Sequence, residues 1–111
     1  MNTDRLQQLL DMLAESPKEA FLQFAIAKEH EKYGRLEESL SWFERLRAQS
    51  PDYVATYYHL GKLYEKLNRA ADAFRTYSAG MDMARKAGEQ HALSELAGAR
   101  LALGDEEDFE D

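Results

Sequence analysis

The sequence predicts an all-α fold built from helical repeats, and three observations carry that prediction. First, one charge pattern is written twice: Lys28 to Arg35 reads KEHEKYGR and Lys62 to Arg69 reads KLYEKLNR, an offset of 34 residues. Second, Pro17 with Pro51, Gly34 with Asn68 and Phe43 with Tyr77 share that offset of 34. Third, the apolar residues between the prolines keep helical spacing: Phe21, Phe24 and Ala25 with Lys28 along one segment, and Leu36, Leu40, Phe43 and Leu46 along the next. Gly34 and Asn68 are the residue types that best tolerate the left-handed backbone ending a helix, so each repeat reads as two helices joined there.

The elements follow in order. A leading helix over about residues 4–15 has Leu6, Leu9, Leu10 and Leu13 as its apolar stripe and Thr3 as its cap. Repeat 1, residues 17–50, pairs helices over about 18–33 and 36–49; Ser16-Pro17-Lys18-Glu19 supplies a Ser-x-x-Glu capping box with proline in the first turn. Repeat 2, residues 51–84, pairs helices over about 53–67 and 70–86. A last segment, 88–103, carries Leu93, Leu96, Ala97, Ala99, Arg100 and Leu103 on a helix. Two repeats alone leave both end faces wet, so the flanking helices are expected to act as caps, completing a single domain over 1–103.

Composition narrows the function classes. A chain of 111 residues, 44% apolar and 32% charged, has the make-up of a soluble globular domain or a repeat array. It has no cysteine, which excludes a disulfide framework and thiolate metal sites and fits a reducing compartment. MNTDRLQQLL lacks the apolar run of a secretory leader and no stretch reaches membrane-spanning length, so a cytoplasmic location and no membrane partner are expected. The net charge of −7 is concentrated in the last eight residues, GDEEDFED, which hold six acids and no base. Residues 1–103 are nearly balanced, with 15 acids and 14 bases, so no nucleic-acid partner is expected.

Repeat 2 shows the motif more clearly: Tyr57-x2-Leu60-Gly61-x2-Tyr64, then Ala73-x3-Tyr77. It resembles the tetratricopeptide repeat, a 34-residue helix–turn–helix unit with aromatic, Leu-Gly, Tyr, then Ala-x3-aromatic, then Pro. Repeat 1 is a degenerate copy, with Gln23, Ile26, Ala27 and His30 at the first four places, followed by Ser39-x3-Phe43 and Pro51. Arg85 stands where the second closing proline would be. The resemblance implies a right-handed α-solenoid of antiparallel helix pairs, about two repeats with capping helices. It also implies that the helices of repeat 2 cross closest at Gly61 and Ala73.

The same resemblance implies a function: a protein–protein interaction module, an adaptor or scaffold that holds a peptide or partner protein in a concave groove lined by the first helix of each repeat. Carried over to this sequence, the groove positions are Phe21, Phe24, Lys28, Glu31 and Lys32, then Ala55, Tyr58, Lys62, Glu65 and Lys66. Lys28, Lys32, Lys62 and Lys66 would form a two-by-two grid beside an aromatic floor of Phe24 and Tyr58, suited to an acidic or carboxylate-ended peptide. Lys28 and His59 stand where the family's chaperone adaptors carry asparagine, which argues against that branch.

A plainer reading assigns Glu31 with Arg35 and Glu65 with Arg69 to i, i+4 helix-surface pairs, each worth only about 0.2–0.5 kcal/mol. It leaves the lysines unexplained. The alternative function is a self-assembling module, a homodimer formed through an end face or an aromatic patch at Trp42 and Arg45. Core packing is the plainer role for Trp42. No catalytic constellation is expected: His30, His59 and His91 form no metal-ligand spacing, and the six glycines form no phosphate loop. His30 reads as a packing residue at a Tyr place. Neither cofactor nor metal is expected. The tail, 104–111, reads as a disordered solubilising terminus, or as an acidic, aromatic segment that competes for the lysine-lined groove.

Overall fold

The computed structural model describes residues 4–109, which form six α-helices and a short 3-10 helix, with no strand among them. None of these helices is long and apolar enough to cross a membrane. By its contacts the chain divides into two units, Met1–Pro51 and Asp52–Asp111.

The first unit holds α1 (Asp4–Glu15), α2 (Ala20–Lys32) and α3 (Leu36–Gln49). The leucine stripe of α1 does what its spacing predicts: Leu6, Leu9 and Leu13 are buried against Leu22, Ala25 and Ile26 of α2. Each such leucine contributes about 1.5–3 kcal/mol by leaving water. Leu10 and Trp42 pack on this cluster, and the guanidinium of Arg45 lies 4.5 Å from the Trp42 ring. Trp42 is therefore half-buried in packing. The cap assigned to Thr3 lies outside the described residues.

The expected capping box at Ser16 does not form as written. Residues 16–18 make a turn, in which the Glu19 amide donates to the Ser16 carbonyl at 3.0 Å, and α2 starts at Ala20. Glu19 is itself the N-cap, its carboxylate accepting from the Phe21 amide at 3.4 Å. The helix prefers a cap whose own backbone is extended, and Glu19 has that conformation, at φ −72° and ψ 108°.

Within the α2–α3 pair, Ile26, Ala27, Phe43 and Leu46 are fully buried. The Ser39 hydroxyl donates to the Ala27 carbonyl at 2.8 Å, so a hydroxyl fits between the helices where they come closest. Gln23, at the place of an aromatic, is buried and donates to the Pro17 carbonyl at 3.1 Å and to Gln49 Oε1 at 2.9 Å. Buried amide donors need such partners, which is how a degenerate repeat keeps a polar residue in its core.

The second unit holds α4 (Ala55–Lys66), α5 (Ala70–Ala87), α6 (Gln90–Leu103) and the 3-10 helix Glu106–Phe109. Tyr57, Leu60, Leu63, Ala73, Tyr77, Ala84 and Leu96 make its core. Gly61 is needed where the motif puts it, and the group that a side chain there would meet first is the Tyr77 ring. A Cβ added at Gly61 would lie 2.2 Å from Tyr77 Cε1. Gly80 has the same role one layer on: a Cβ there would lie 2.4 Å from the Tyr57 Cβ and 3.1 Å from Leu96. The Tyr77 hydroxyl donates to the Glu65 carboxylate, and burial, then this bond, push its pKa upward.

Equivalent turns end α2 and α4. Gly34 and Asn68 take positive φ, 76° and 60°. The next amides, Arg35 and Arg69, each reach back 2.9 Å to the carbonyls of His30 and Tyr64, the six-to-one bond of a Schellman motif. Gly88, φ 72°, ends α5 in the same way, with the Glu89 amide 2.9 Å from the Ala84 carbonyl. Beyond α6, where no ordered element is expected from the sequence, Phe109 stacks on Phe74 with centroids 4.7 Å apart.

Candidate functional site

Helical spacing puts Phe21, Phe24, Ala25, Lys28 and Lys32 on one stripe of α2. In the first unit these five residues line one open cavity of about 380 Å³ together with Arg5 of α1 and Glu29. Phe24 is set edge-on against Phe43 of α3, centroids 6.0 Å apart, so the core fixes its position. Phe21 has no such anchor in the core and is 57% exposed, an unusual state for so large an apolar ring.

The charges on this face are unequal. Glu29 is buried, and Arg5 Nε lies 3.6 Å from its carboxylate, so one cation is committed to neutralising it. Lys28 Nζ lies 3.1 Å from Glu31 and keeps a side chain that is 40% exposed. Lys32 Nζ sits 5.5 Å from the centre of the Tyr33 ring. The cavity is lined by two phenylalanines, two lysines, an arginine and the buried Glu29, with Glu31 beside it against Lys28. It has no nucleophile paired with a base, and among the described residues no cluster of ligands could hold a metal ion. The cavity thus sets apolar ring surface beside ammonium groups.

In the second unit, Tyr58 and Ala55 line a cavity of about 590 Å³ with Val54, His59, Glu89 at the start of α6, and residues of α6, among them His91, Ala92 and Glu95. Lys62 Nζ lies over the Tyr58 ring at 5.6 Å and 3.9 Å from Glu65. Lys66 lines neither cavity. Sequence reasoning missed the α6 wall, although extending the 34-residue period once more puts Glu89 and Ala92 at the places of Ala55 and Tyr58. Arg5 and Glu29 were missed as well; the stripe of α1 was read for its leucines alone.

Glu31 and Glu65 reach back three residues to Lys28 and Lys62, while Arg69 Nε donates to Asp72 at 2.8 Å. Arg35 Nε donates to His30 Nδ1 at 2.9 Å. That bond requires an unprotonated Nδ1, and the His30 pKa is lowered, first by burial and then by the Arg35 charge, with Glu38 and Glu29 opposing. His30 is thus a packing residue with a bonding partner, as its Tyr-like place implies.

Neither a family model nor a curated protein sequence matches the chain. Solved structures do. A solution structure of a tetratricopeptide repeat domain protein from Salinibacter ruber is 48% identical, covering 78% of this chain and 88% of that one, with a TM-score of 0.76. The chain belongs to the tetratricopeptide repeat family. A crystal structure of a tetratricopeptide repeat domain protein from the same organism gives 48% identity, 77% and 96% coverage and a TM-score of 0.74. A Bordetella parapertussis protein shares the fold at 22% identity, with 93% and 89% coverage and a TM-score of 0.77.

Proposed function

We propose that this tetratricopeptide protein is an interaction module whose α2 face takes an acidic, aromatic-bearing segment of a partner protein. The observation that carries the reading is the cavity of about 380 Å³ in which exposed Phe21 and anchored Phe24 stand among Lys28, Lys32 and Arg5. Burying the exposed part of the Phe21 ring on binding would contribute roughly 1–2 kcal/mol, and the lysines would add orientation and speed of encounter more than affinity. The cavity beside Tyr58, walled by Glu89 and Glu95, is electrostatically unlike it and suits a neutral or basic stretch of partner.

The test is a panel of labelled octapeptides, acidic and basic, with free and amidated C-termini, against wild type and the Lys28→Glu/Lys32→Glu variant. Both lysines are partly exposed, so the substitutions leave the core intact. Acidic peptides should bind wild type at least tenfold more tightly than the variant, and salt should weaken wild-type binding more steeply. Equal affinities with equal salt slopes contradict the proposal. Light scattering on the same samples addresses the homodimer alternative, which requires twice the chain mass.

A further inference from the structure

The tail of the second unit is built as a seated ligand. Gly104 turns the chain at φ 154°, a conformation open essentially to glycine alone. The Asp105 amide then donates to Asp108 Oδ2 at 2.8 Å, closing the turn. This delivers Phe109 flat onto Phe74 of α5, centroids 4.7 Å apart and planes inclined by 21°. Arg100 of α6 lies 5.3 Å from the centre of the Phe74 ring. The seat therefore offers an aromatic face and a guanidinium, and its occupant is an aromatic ring amid carboxylates.

Two observations mark the segment as removable. Its only large apolar group is one half-buried ring, whereas Tyr57, Leu60, Tyr77 and Leu96 of the unit's core are almost wholly buried. Open space also adjoins the turn: about 360 Å³ lies among Phe74, Ala97, Arg100, Leu101 and Gly104, Asp105 and Glu106, and Leu101 is 74% exposed.

We infer that the α5/α6 face at Phe74, Arg100 and Leu101 is a second docking surface, for an acidic segment of a partner protein that carries a phenylalanine, and that the chain's own tail holds this seat until such a segment displaces it. The tail is itself a sample of the chemistry that fits. A tether this short gives it an effective concentration near millimolar, so the free seat takes up ligand more readily than the tailed one by a factor set by that concentration over the intrinsic dissociation constant. The inference stands apart from the α2 face, since the residues read out belong to the other unit.

The experiment adds the synthetic peptide GDEEDFED to the full chain and to two variants that unseat the tail by different routes, following backbone amide shifts. Phe109→Ala removes the ring. Gly104→Ala keeps the ring but puts a side chain at φ 154°, where L residues are strained, with its Cβ 2.8 Å from Asp108 Oδ2 and 2.9 Å from Phe109 Cε2, which disfavours the turn. Both variants should show saturable shifts at Phe74, Arg100 and Leu101, with half-saturation at least twofold lower than for wild type, and GDEEDAED should give none. No shifts at those amides at millimolar peptide, or equal responses from wild type and variants, would overturn the inference. So would loss of the folded spectrum in both variants, because Phe109 would then be a core member and not a ligand. A wild type that dimerises while both variants stay monomeric would assign the seat to the tail of a second copy and overturn the partner reading.

Discussion

At the level of single residues, the closest approaches decide which positions tolerate change. Gly61 faces the Tyr77 ring and Gly80 faces Tyr57, each at a distance that leaves no room for a methyl group. Both rings are buried, and the Tyr77 hydroxyl is held by Glu65, so neither can give way cheaply. Gly61→Ala and Gly80→Ala are each expected to lower stability by about 1–3 kcal/mol, read from urea unfolding midpoints at unchanged slope. An unaltered midpoint would mean that the rings move aside. His30 gives a pH prediction. Its folded pKa lies below the unfolded value of about 6.5, so the unfolded chain binds the proton first. The contribution is complete above pH 6.5 and is lost as pH falls toward the folded pKa. Wild type should lose more of its melting temperature between pH 7.5 and 5.5 than His30→Asn, which offers Arg35 an oxygen acceptor that does not titrate.

At the level of elements, the 34-residue period marks the four helices from α2 to α5, because residues with conformational preferences sit at its turns, while α1 and α6 were legible only from their apolar spacing. Gly34 and Asn68 end equivalent helices with equivalent bonds, and the one is tolerated for the other because asparagine is the second-best residue at positive φ. Gly34→Ala should therefore cost about 1–2 kcal/mol, whereas Asn68→Gly should leave the melting temperature unchanged or raise it. Helix starts were less legible. The Ser16 box was overruled by the backbone conformation of Glu19, and local motifs do not report which of two candidate caps takes extended φ and ψ. The tail was misread for a related reason. GDEEDFED has the composition of a solvated terminus, and nothing in it names Phe74, 35 residues upstream of Phe109, as the ring on which it rests.

At the level of the whole molecule, the family's pattern names stripes of α2 and α4, and residues of each stripe line a cavity whose other walls the pattern does not give. Phe21, Phe24, Lys28 and Lys32 do share one cavity, because a single helix stripe brings them together. Arg5 and Glu29 complete it from positions the repeat period does not mark. Tyr58 shares its cavity with α6, whose acids change its character from the one expected of a lysine grid. The central claim, that α2 carries a recognition face for acidic, aromatic-bearing segments, is tested most directly by mapping. Isotope-labelled protein titrated with the tightest acidic peptide of the panel should show its largest amide shifts at Phe21, Phe24, Lys28 and Lys32, and those shifts should vanish in Lys28→Glu/Lys32→Glu. Shifts confined to the Tyr58 cavity, or none at all at millimolar peptide, would contradict it.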